Sequence, residues 1–152
     1  MELVILVGLP GSGKSTFVAE RLSSHTIVSR DRLPPPQKTP ARQLALIGEA
    51  LARGESVVVD NTSPAVADRA PLVNEGRRRG ARVVAYFFPP DVPGCRKRNA
   101  ARQGAARVPD VAIFVAAKRL AAPTLAEGFD EIHRVTLIDP VGFDVVATDR
   151  VA

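Results

Sequence analysis

The sequence predicts an α/β fold, with a mainly parallel sheet of about five strands and helices on both faces. Two observations predict it: short apolar, β-branched runs alternate with longer segments of helical periodicity, and a glycine-rich motif joins the first run to the first helical segment. Alternation of this kind requires crossover connections, which leave the strands parallel. The length of 152 residues is typical of one domain, so we expect residues 1–152 to form a single domain.

Strands are predicted wherever apolar residues run together between turn signals. The five predicted strands are 3–7, 26–28, 56–59, 82–88 and 132–138. The first of them leads into the glycine-rich motif, the second into Asp31 and the third into Asp60. Ligands of such sheets bind beyond the carboxyl ends of the strands, so we expect a site there. The tail from 141 to 152 gives no clear prediction.

Helix boundaries are predicted from caps, prolines and glycines. The predicted helices cover 16–22, 40–53, 63–80 and 109–120. Thr39 followed by Pro40 predicts the start of a helix, and Ser63 followed by a proline predicts another in the same way. Pro71 falls inside the third helix and is expected to kink or split it. The segment Thr124–Glu127 matches a capping box.

The glycine-rich motif reads Gly-Leu-Pro-Gly-Ser-Gly-Lys-Ser-Thr over residues 8–16, which we call the phosphate loop, and it fits G-x-x-x-x-G-K-[ST] without a mismatch. Its glycines let backbone N–H groups point at an anion, and the following helix adds a partial positive charge. Lys14 is predicted to reach the β- and γ-phosphates, and the Ser15 hydroxyl to bind Mg²⁺. The sequence therefore predicts a P-loop NTPase that binds ATP or another nucleoside triphosphate. The predicted binding residues are Gly11, Ser12, Gly13, Lys14, Ser15 and Thr16.

Two aspartates at strand ends are candidates for further roles. Asp60 ends an apolar strand as in a Walker-B motif and is predicted to hold Mg²⁺ opposite Ser15, although a strand-end aspartate also caps turns. Asp31 lies on a different strand, from which a carboxylate can take the proton of an acceptor hydroxyl during phosphoryl transfer. Its alternative role, capping a turn, is left open by spacing alone.

Arginines in a basic segment after the fourth strand are the remaining candidates. Arg98 and Arg102 are four positions apart and share a face if the segment is helical. Two guanidinium groups placed there can clamp a triphosphate and stabilise transition-state charge, so residues from about 96 to 109 are predicted to form a lid. The alternative is an exposed basic helix face.

Composition restricts the partners and the compartment. The chain has 21 basic and 16 acidic residues and a net charge of +5, a balance that suits polyanions including nucleic acid. The single cysteine excludes an internal disulfide. The apolar runs are too short for a membrane span, and no secretory pattern opens the chain. We therefore expect a cytoplasmic enzyme with no membrane partner.

Taken in order, these motifs resemble the polynucleotide 5′-hydroxyl kinase family of P-loop phosphotransferases, which includes the kinase domains of phage and animal end-healing enzymes. The matching pieces, which reach from the phosphate loop nearly to the end of the predicted fold, are 8–16, Ser29-Arg30-Asp31, Asp60-Asn61-Thr62, Lys97-Arg98-Asn99 with Arg102, and 122–129. The resemblance implies transfer of the γ-phosphate of ATP to a 5′-OH end of DNA or RNA, as in nucleic-acid repair. The chain has no D-x-D-x-[TV] run, so no phosphatase domain is expected within it.

The resemblance also implies roles for single residues. Lys14 and Ser15 serve the phosphates and Mg²⁺, Asp31 is the general base, and Asp60 supports the metal and acceptor site. Arg98 and Arg102 form the lid, which makes them both catalytic and donor-binding. Phage-type relatives grip the acceptor's 3′-phosphate with an arginine where this chain has Pro34, a role that Arg32 or Lys38 can fill. The implied acceptor-binding residues are Asp31, Arg32, Lys38 and Asn61.

Two other functions remain open at this point. A kinase for a sugar, nucleoside or antibiotic hydroxyl would have a similar phosphate loop, base and lid. A nucleotide-binding module without phosphotransfer would need the loop but not Asp31. The choice between DNA and RNA and the preferred nucleoside triphosphate are likewise left open by the sequence.

Overall fold

A six-stranded sheet forms the centre of the protein, in a computed structural model that describes residues 1–138 and 142–151. The strands are β1 Glu2–Val7, β2 Thr26–Val28, β3 Val57–Val59, β4 Arg82–Phe87, β5 Glu131–Leu137 and β6 Phe143–Arg150. Their order is β2-β3-β1-β4-β5-β6, in which β6 alone is antiparallel to its neighbour. The predicted class is confirmed, but the strand count was one too low because β6 comes from the tail that gave no prediction.

Five α-helices connect or flank these strands in the described part of the chain. They are α1 Lys14–Arg21, α2 Pro40–Ala52, α3 Val66–Arg78, α4 Val92–Ala100 and α5 Asp110–Arg119. The Thr39 hydroxyl accepts a hydrogen bond from the Arg42 N–H at 3.1 Å, which confirms the predicted cap of α2. α2 and α3, the longest helices described, have 13 residues each and are too short to span the ~30 Å hydrocarbon core of a bilayer.

The sheet has an apolar core on each face because side chains alternate along its strands. On β1, Leu3, Ile5 and Val7 point to one core, where they meet Ile47 of α2 and Val73 of α3. The two residues between them point to the other core, which contains α1. Helices therefore cover both faces, as predicted, and the carboxyl ends of β1, β2 and β3 are held side by side.

Helix α3 differs from its prediction at two places. It begins at Val66 because Ser63 has the left-handed φ of 43° rather than the extended backbone of a cap, and the Asp68 carboxylate instead accepts from the Ala65 N–H at 3.0 Å. The helix also continues through Pro71 without being split. Ala67 and Pro71 both line a cavity, so the hydrogen bond that proline lacks is lost on the open side of the helix and not in the core.

Candidate active site

The phosphate loop turns sharply between β1 and α1 at two glycines. Gly11 and Gly13 have φ values of 81° and 94°, a region that glycine adopts without strain. A Cβ atom on Gly11 would lie 2.6 Å from the backbone oxygen of Cys95 in α4, closer than real contacts allow. Gly11 therefore permits both the turn and the close approach of α4 to the loop.

Lys14 lies inside the curve of this loop with only 7% of its surface exposed. Its Nζ donates hydrogen bonds to the Leu9 oxygen at 2.6 Å, to the Gly8 oxygen at 3.2 Å and to the Ser12 hydroxyl at 3.2 Å. Burial lowers the pKa of the Lys14 ammonium to about 8, although the carboxylate of Asp60 partly opposes this shift. The loop carbonyls thus hold the ammonium where the predicted phosphates would meet it.

Ser15 and Asp60 are brought together by the pairing of β1 with β3. The Ser15 hydroxyl donates a hydrogen bond to the Asp60 carboxylate at 2.9 Å. Both groups are oxygen ligands of the kind Mg²⁺ prefers, and Mg²⁺ usually binds through one or two protein oxygens together with substrate phosphates and waters. Among the described residues there is no cluster of three or more metal-ligating His, Cys, Asp or Glu side chains, so a dedicated metal cage is not found there. A serine and an aspartate beside a phosphate loop fit the shared type of site.

Asn61, the residue after Asp60, links the loop that follows β3 to the turn that carries Asp31. Its Oδ1 accepts from the Arg30 N–H at 3.3 Å, and its Nδ2 donates to the Gln43 Oε1 of α2 at 3.0 Å. Asp31 is exposed in a 3₁₀ turn, Arg30–Arg32, directly after β2. Asp31 therefore has its predicted strand-end position, and the backbone of the preceding residue, Arg30, is tied to the residue that follows Asp60.

The other two predicted acceptor residues lie near this turn in sequence. Arg32 ends the 3₁₀ turn and Lys38 lies in the loop that precedes α2, and both side chains are exposed. Exposed cations can meet a ligand without first losing an internal partner, but their acceptor roles stay predictions.

The predicted pair of lid arginines is only partly as expected. Arg98 lies on α4, and its Nε donates to the Gly11 oxygen at 2.6 Å, so it contacts the phosphate loop directly. Arg102 does not share the helix, because α4 ends at Ala100. The Asn99 side chain pairs with both backbone polar groups of Val108 at 2.7 and 3.0 Å and draws the chain back before another helical turn can form. The prediction of one shared helix face was wrong.

Arg102 nevertheless lies close enough to the phosphate loop to affect Lys14. Its charge adds to the lowering of the Lys14 pKa, while its Nη1 donates to the Ala106 oxygen at 3.3 Å. Arg98 thus contacts the loop by a hydrogen bond, whereas Arg102, in the turn after the helix, affects Lys14 through its charge.

Two cavities border the phosphate loop at different residues. The first, of about 640 Å³, is bordered by Pro10 of the loop, Arg30 and Asn61, and we call it the Asn61 cavity. The second, of about 750 Å³, is bordered by Gly13, Thr16 and Arg98, and we call it the Arg98 cavity. Each is large enough for a small ligand. The loop therefore lines two cavities through different residues, Pro10 in the first and Gly13 with Thr16 in the second.

Two polar residues that the sequence interpretation had not selected support this site. Gln43 is 3% exposed and lies four positions before Ile47 on the buried face of α2. A polar residue among the apolar residues of that face is the sequence feature by which it could have been recognised. Arg69 is fully buried and bonds to the loop after β3. Its partner Glu127 is distant in sequence, and no local pattern marks the pair.

Comparison with known proteins identifies related sequences and folds. A family model described as an AAA domain matches residues 3–123, a span that includes every site residue predicted from the sequence. A protein of Acanthamoeba polyphaga mimivirus, provisionally named a bifunctional polynucleotide phosphatase/kinase, is 30% identical over 145 residues. The alignment covers 89% of this chain and 33% of that protein, so the chain spans about one third of its relative's length. The expected resemblance to polynucleotide kinases is confirmed at the level of sequence similarity.

Solved structures with the same fold come from several kinases. A fungal RNA kinase aligns with a TM-score of 0.67 at 13% identity, and the alignment covers 88% of this chain and 38% of the RNA kinase chain. A gluconokinase from Sinorhizobium meliloti 1021 aligns with a TM-score of 0.65 at 24% identity, and the alignment covers 91% of this chain and 84% of the gluconokinase chain. These likenesses establish the P-loop kinase fold and leave the acceptor to be argued from the site.

Proposed function

Because the chain belongs to the AAA-domain family whose model spans residues 3–123, here in its P-loop kinase form, we propose that it is an ATP-dependent polynucleotide 5′-hydroxyl kinase. The observation that carries the proposal is that the phosphate loop borders two cavities, one beside Arg98 and one beside Arg30 and Asn61. Two spaces that meet at one loop suit a reaction in which a phosphate passes from a donor to a separate acceptor.

The donor nucleotide is assigned to the Arg98 cavity. The N–H groups of residues 11–16 would hold the phosphates, with Lys14 and the two arginines Arg98 and Arg102 supplying positive charge. Ser15 and Asp60 would hold Mg²⁺, which neutralises charge on the phosphate oxygens. Arg98 already contacts the Gly11 oxygen, so its guanidinium lies at the rim of the phosphate site without any rearrangement of α4.

The acceptor is assigned to the Asn61 cavity. The oxygen of the 5′-hydroxyl bonds to the γ-phosphorus as the bond from that phosphorus to the bridging oxygen breaks, and ADP leaves. The hydroxyl proton passes to the Asp31 carboxylate. Asn61 fixes the backbone of the Asp31 turn through the Arg30 N–H, and Arg32 and Lys38 are exposed cations that can contact the acceptor's backbone phosphates.

Composition of the cavity wall favours a nucleotide over a sugar as acceptor. Apolar side chains of three helices, among them Leu44 of α2, Leu72 of α3 and Val115 of α5, line one part of that wall and suit the flat face of a base. Polar side chains, among them Arg30 and Asn61, line the rest and can bond to the sugar and phosphate of a nucleotide. The mimivirus relative supports the same choice by its name. We further expect a cytoplasmic enzyme, formed as one domain with residues from about 96 to 109 as its lid.

A small-molecule kinase is the second candidate, supported by the shared fold with the gluconokinase and by a cavity of single-ligand size. Incubation with γ-labelled ATP, Mg²⁺ and 5′-OH oligonucleotides of DNA or RNA, beside gluconate and nucleosides, tests both. We expect label on the oligonucleotides, and its loss when the Asp31→Asn variant is used. Label on gluconate or a nucleoside alone would establish the second candidate. ATP binding with no labelled acceptor would instead favour a nucleotide-binding module.

A further inference from the structure

Arg69 is a fully buried arginine on α3, and its charge is paired with one carboxylate. Its Nε and Nη2 donate to the two oxygens of Glu127 at 2.8 and 3.0 Å, and the Glu127 side chain is 8% exposed. Removing two charges from water costs so much that a buried ion pair is often no more stabilising than apolar residues of the same volume. Stability alone is therefore a poor explanation for this pair.

The remaining nitrogen of Arg69 binds the backbone of two other segments. Nη1 donates to the oxygens of Ser63 at 3.1 Å, Pro64 at 3.0 Å and Ala121 at 2.9 Å. One side chain thus joins the loop after β3, the chain just beyond α5, and the turn that contains Glu127. Only a planar, always charged group with several donors can make this set of bonds together.

The loop held by Arg69 has a backbone that does not form easily by itself. Ser63 is 5% exposed and has a φ of 43°, the left-handed region in which a residue other than glycine is strained. Just before it, the Thr62 oxygen accepts from the Gly8 N–H at 3.1 Å, which attaches this loop to the first glycine of the phosphate loop. Asp60 and Asn61 precede Thr62 in the same loop. Its shape therefore fixes both the candidate Mg²⁺ ligand and the base of the phosphate loop.

We propose that Arg69, with Glu127 as its partner, is a positioning residue that holds the loop 60–64 in the conformation the phosphotransfer site requires. The proposal rests on the proposed function in that Asp60 is taken as a Mg²⁺ ligand. It gives a role to the segment 122–129, because Glu127 orients the guanidinium and also accepts from the Thr124 N–H at 2.9 Å. The bond to Ala121 ties the chain just beyond α5 to the same point, so that segment and the loop 60–64 share one anchor.

A second buried glutamate provides a matched control. Glu131 begins β5 and is 6% exposed, and its carboxylate pairs with Arg82 and, at 2.7 Å, with Arg150. It lies at the amino end of the strands, opposite the phosphate loop. Glu127→Gln and Glu131→Gln therefore make the same chemical change at two buried carboxylates. Glu127 is paired with the arginine that bonds to the loop 60–64, whereas Glu131 is paired with two exposed arginines away from that loop.

Residue-resolved amide hydrogen exchange in the nucleotide-free protein tests the anchor directly. We expect Glu127→Gln and Arg69→Lys to speed exchange of the Gly8 N–H at least about tenfold more than their loss of global stability explains. Glu131→Gln should lower stability without that local effect. Lysine keeps the charge but cannot span the carboxylate and three carbonyls, so Arg69→Lys separates geometry from charge.

Nucleotide binding supplies the functional readout. In wild-type protein and in Glu131→Gln, Mg²⁺ should strengthen ADP binding, whereas in Glu127→Gln that Mg²⁺-dependent gain should fall about tenfold. If the single variants do not fold, the double variant Arg69→Met with Glu127→Leu removes both charges together and replaces them, since such apolar replacements are tolerated.

Equal Gly8 exchange in Glu127→Gln and Glu131→Gln, after correction for stability, would overturn the proposal, as would an unchanged Mg²⁺-dependent gain in a folded Glu127→Gln. The exchange measurement needs neither nucleotide nor acceptor. Suppose that the variants show the expected exchange pattern but the wild-type protein shows no Mg²⁺-dependent ADP binding. That result would contradict the proposed function and not the anchor.

Discussion

The hydroxyl of Ser15 donates a hydrogen bond to the carboxylate of Asp60 at 2.9 Å, although the two residues are 45 positions apart. Parallel pairing of β1 and β3 brings them together, because Ser15 follows the first strand by one loop and Asp60 follows the third directly. Their oxygens already face each other where a cation could be shared between the phosphate loop and its neighbouring strand.

Replacing Ser15 by alanine or Asp60 by asparagine should raise the Mg²⁺ concentration needed for half-maximal activity about 10–100-fold, the range seen when support for a metal is removed. The fold should remain intact, because Ser15 is exposed and neither side chain packs in a core. Titration of activity against Mg²⁺ measures the effect, with Ser24→Ala as an exposed control. An unchanged Mg²⁺ requirement in both variants would remove these residues from the metal site.

Lys14 should make stability depend on pH in a way that can be isolated by mutation. Burial lowers its pKa to about 8 in the folded protein, whereas an unfolded lysine titrates near 10.5. Between these values the unfolded chain binds a proton that the folded protein does not, so the free energy of unfolding rises with pH. Relative to Lys14→Met, wild-type protein should gain about 1.4 kcal/mol per pH unit within this window.

Urea unfolding of the wild-type protein and of Lys14→Met at pH 7 and pH 9.5 measures this difference in the free energy of unfolding. Other groups, including Tyr86 with its raised pKa, titrate alike in both proteins and cancel. A difference that stays constant between the two pH values would mean that the folded protein holds Lys14 protonated throughout.

Local sequence was sufficient to predict the phosphate loop and the strand ends at Asp31 and Asp60, because those features depend on neighbours in the chain. Strand bounds agree within one residue for the same reason. Arg102 was misplaced because the end of α4 depends on Asn99 bonding to Val108, a contact that no periodicity reveals. The Arg69–Glu127 pair joins residues 58 positions apart and follows from the tertiary fold alone.

Asp31→Asn should lower turnover by roughly 10²–10⁴, the usual loss when a general base is removed, with ATP affinity close to wild type. The residue is exposed and its substitution removes no packing, so the melting temperature should not change. Single-turnover rates and ATP affinity are measured together, with Asp149→Asn on β6 as a control. Parallel loss of ATP binding and turnover would place Asp31 at the donor instead.

Gly11→Ala should be more damaging than Gly54→Ala, although both glycines have φ values near 80°. A Cβ at position 54 meets nothing within 4 Å, so that variant shows the cost of backbone strain alone, about 1–2 kcal/mol. A Cβ at position 11 also meets the Cys95 oxygen at 2.6 Å and must push α4 away from the loop. We expect a larger loss of unfolding free energy and loss of ADP binding. Similar values for both variants would show that α4 yields without cost.

A polynucleotide acceptor should bind in a salt-dependent manner, because its phosphates release counterions when cations of the protein replace them. Each phosphate neutralised on a single strand contributes about −0.7 to the slope of log affinity against log salt, so two to four contacts give a slope of roughly −1.5 to −3. Arg32 and Lys38 are the exposed cations nearest Asp31 in sequence.

Changing both Arg32 and Lys38 to glutamine should therefore reduce the slope by about 1.4, whereas Arg53→Gln, at a position paired with Glu55, should leave it unchanged. The measurement is the affinity of a 5′-OH oligonucleotide across a salt series, with a non-hydrolysable ATP analogue bound. A neutral small-molecule acceptor has no phosphates to neutralise and would give almost no slope. An oligonucleotide that fails to bind at low salt would therefore move the acceptor assignment from a nucleic-acid strand to a small hydroxyl compound in the Asn61 cavity.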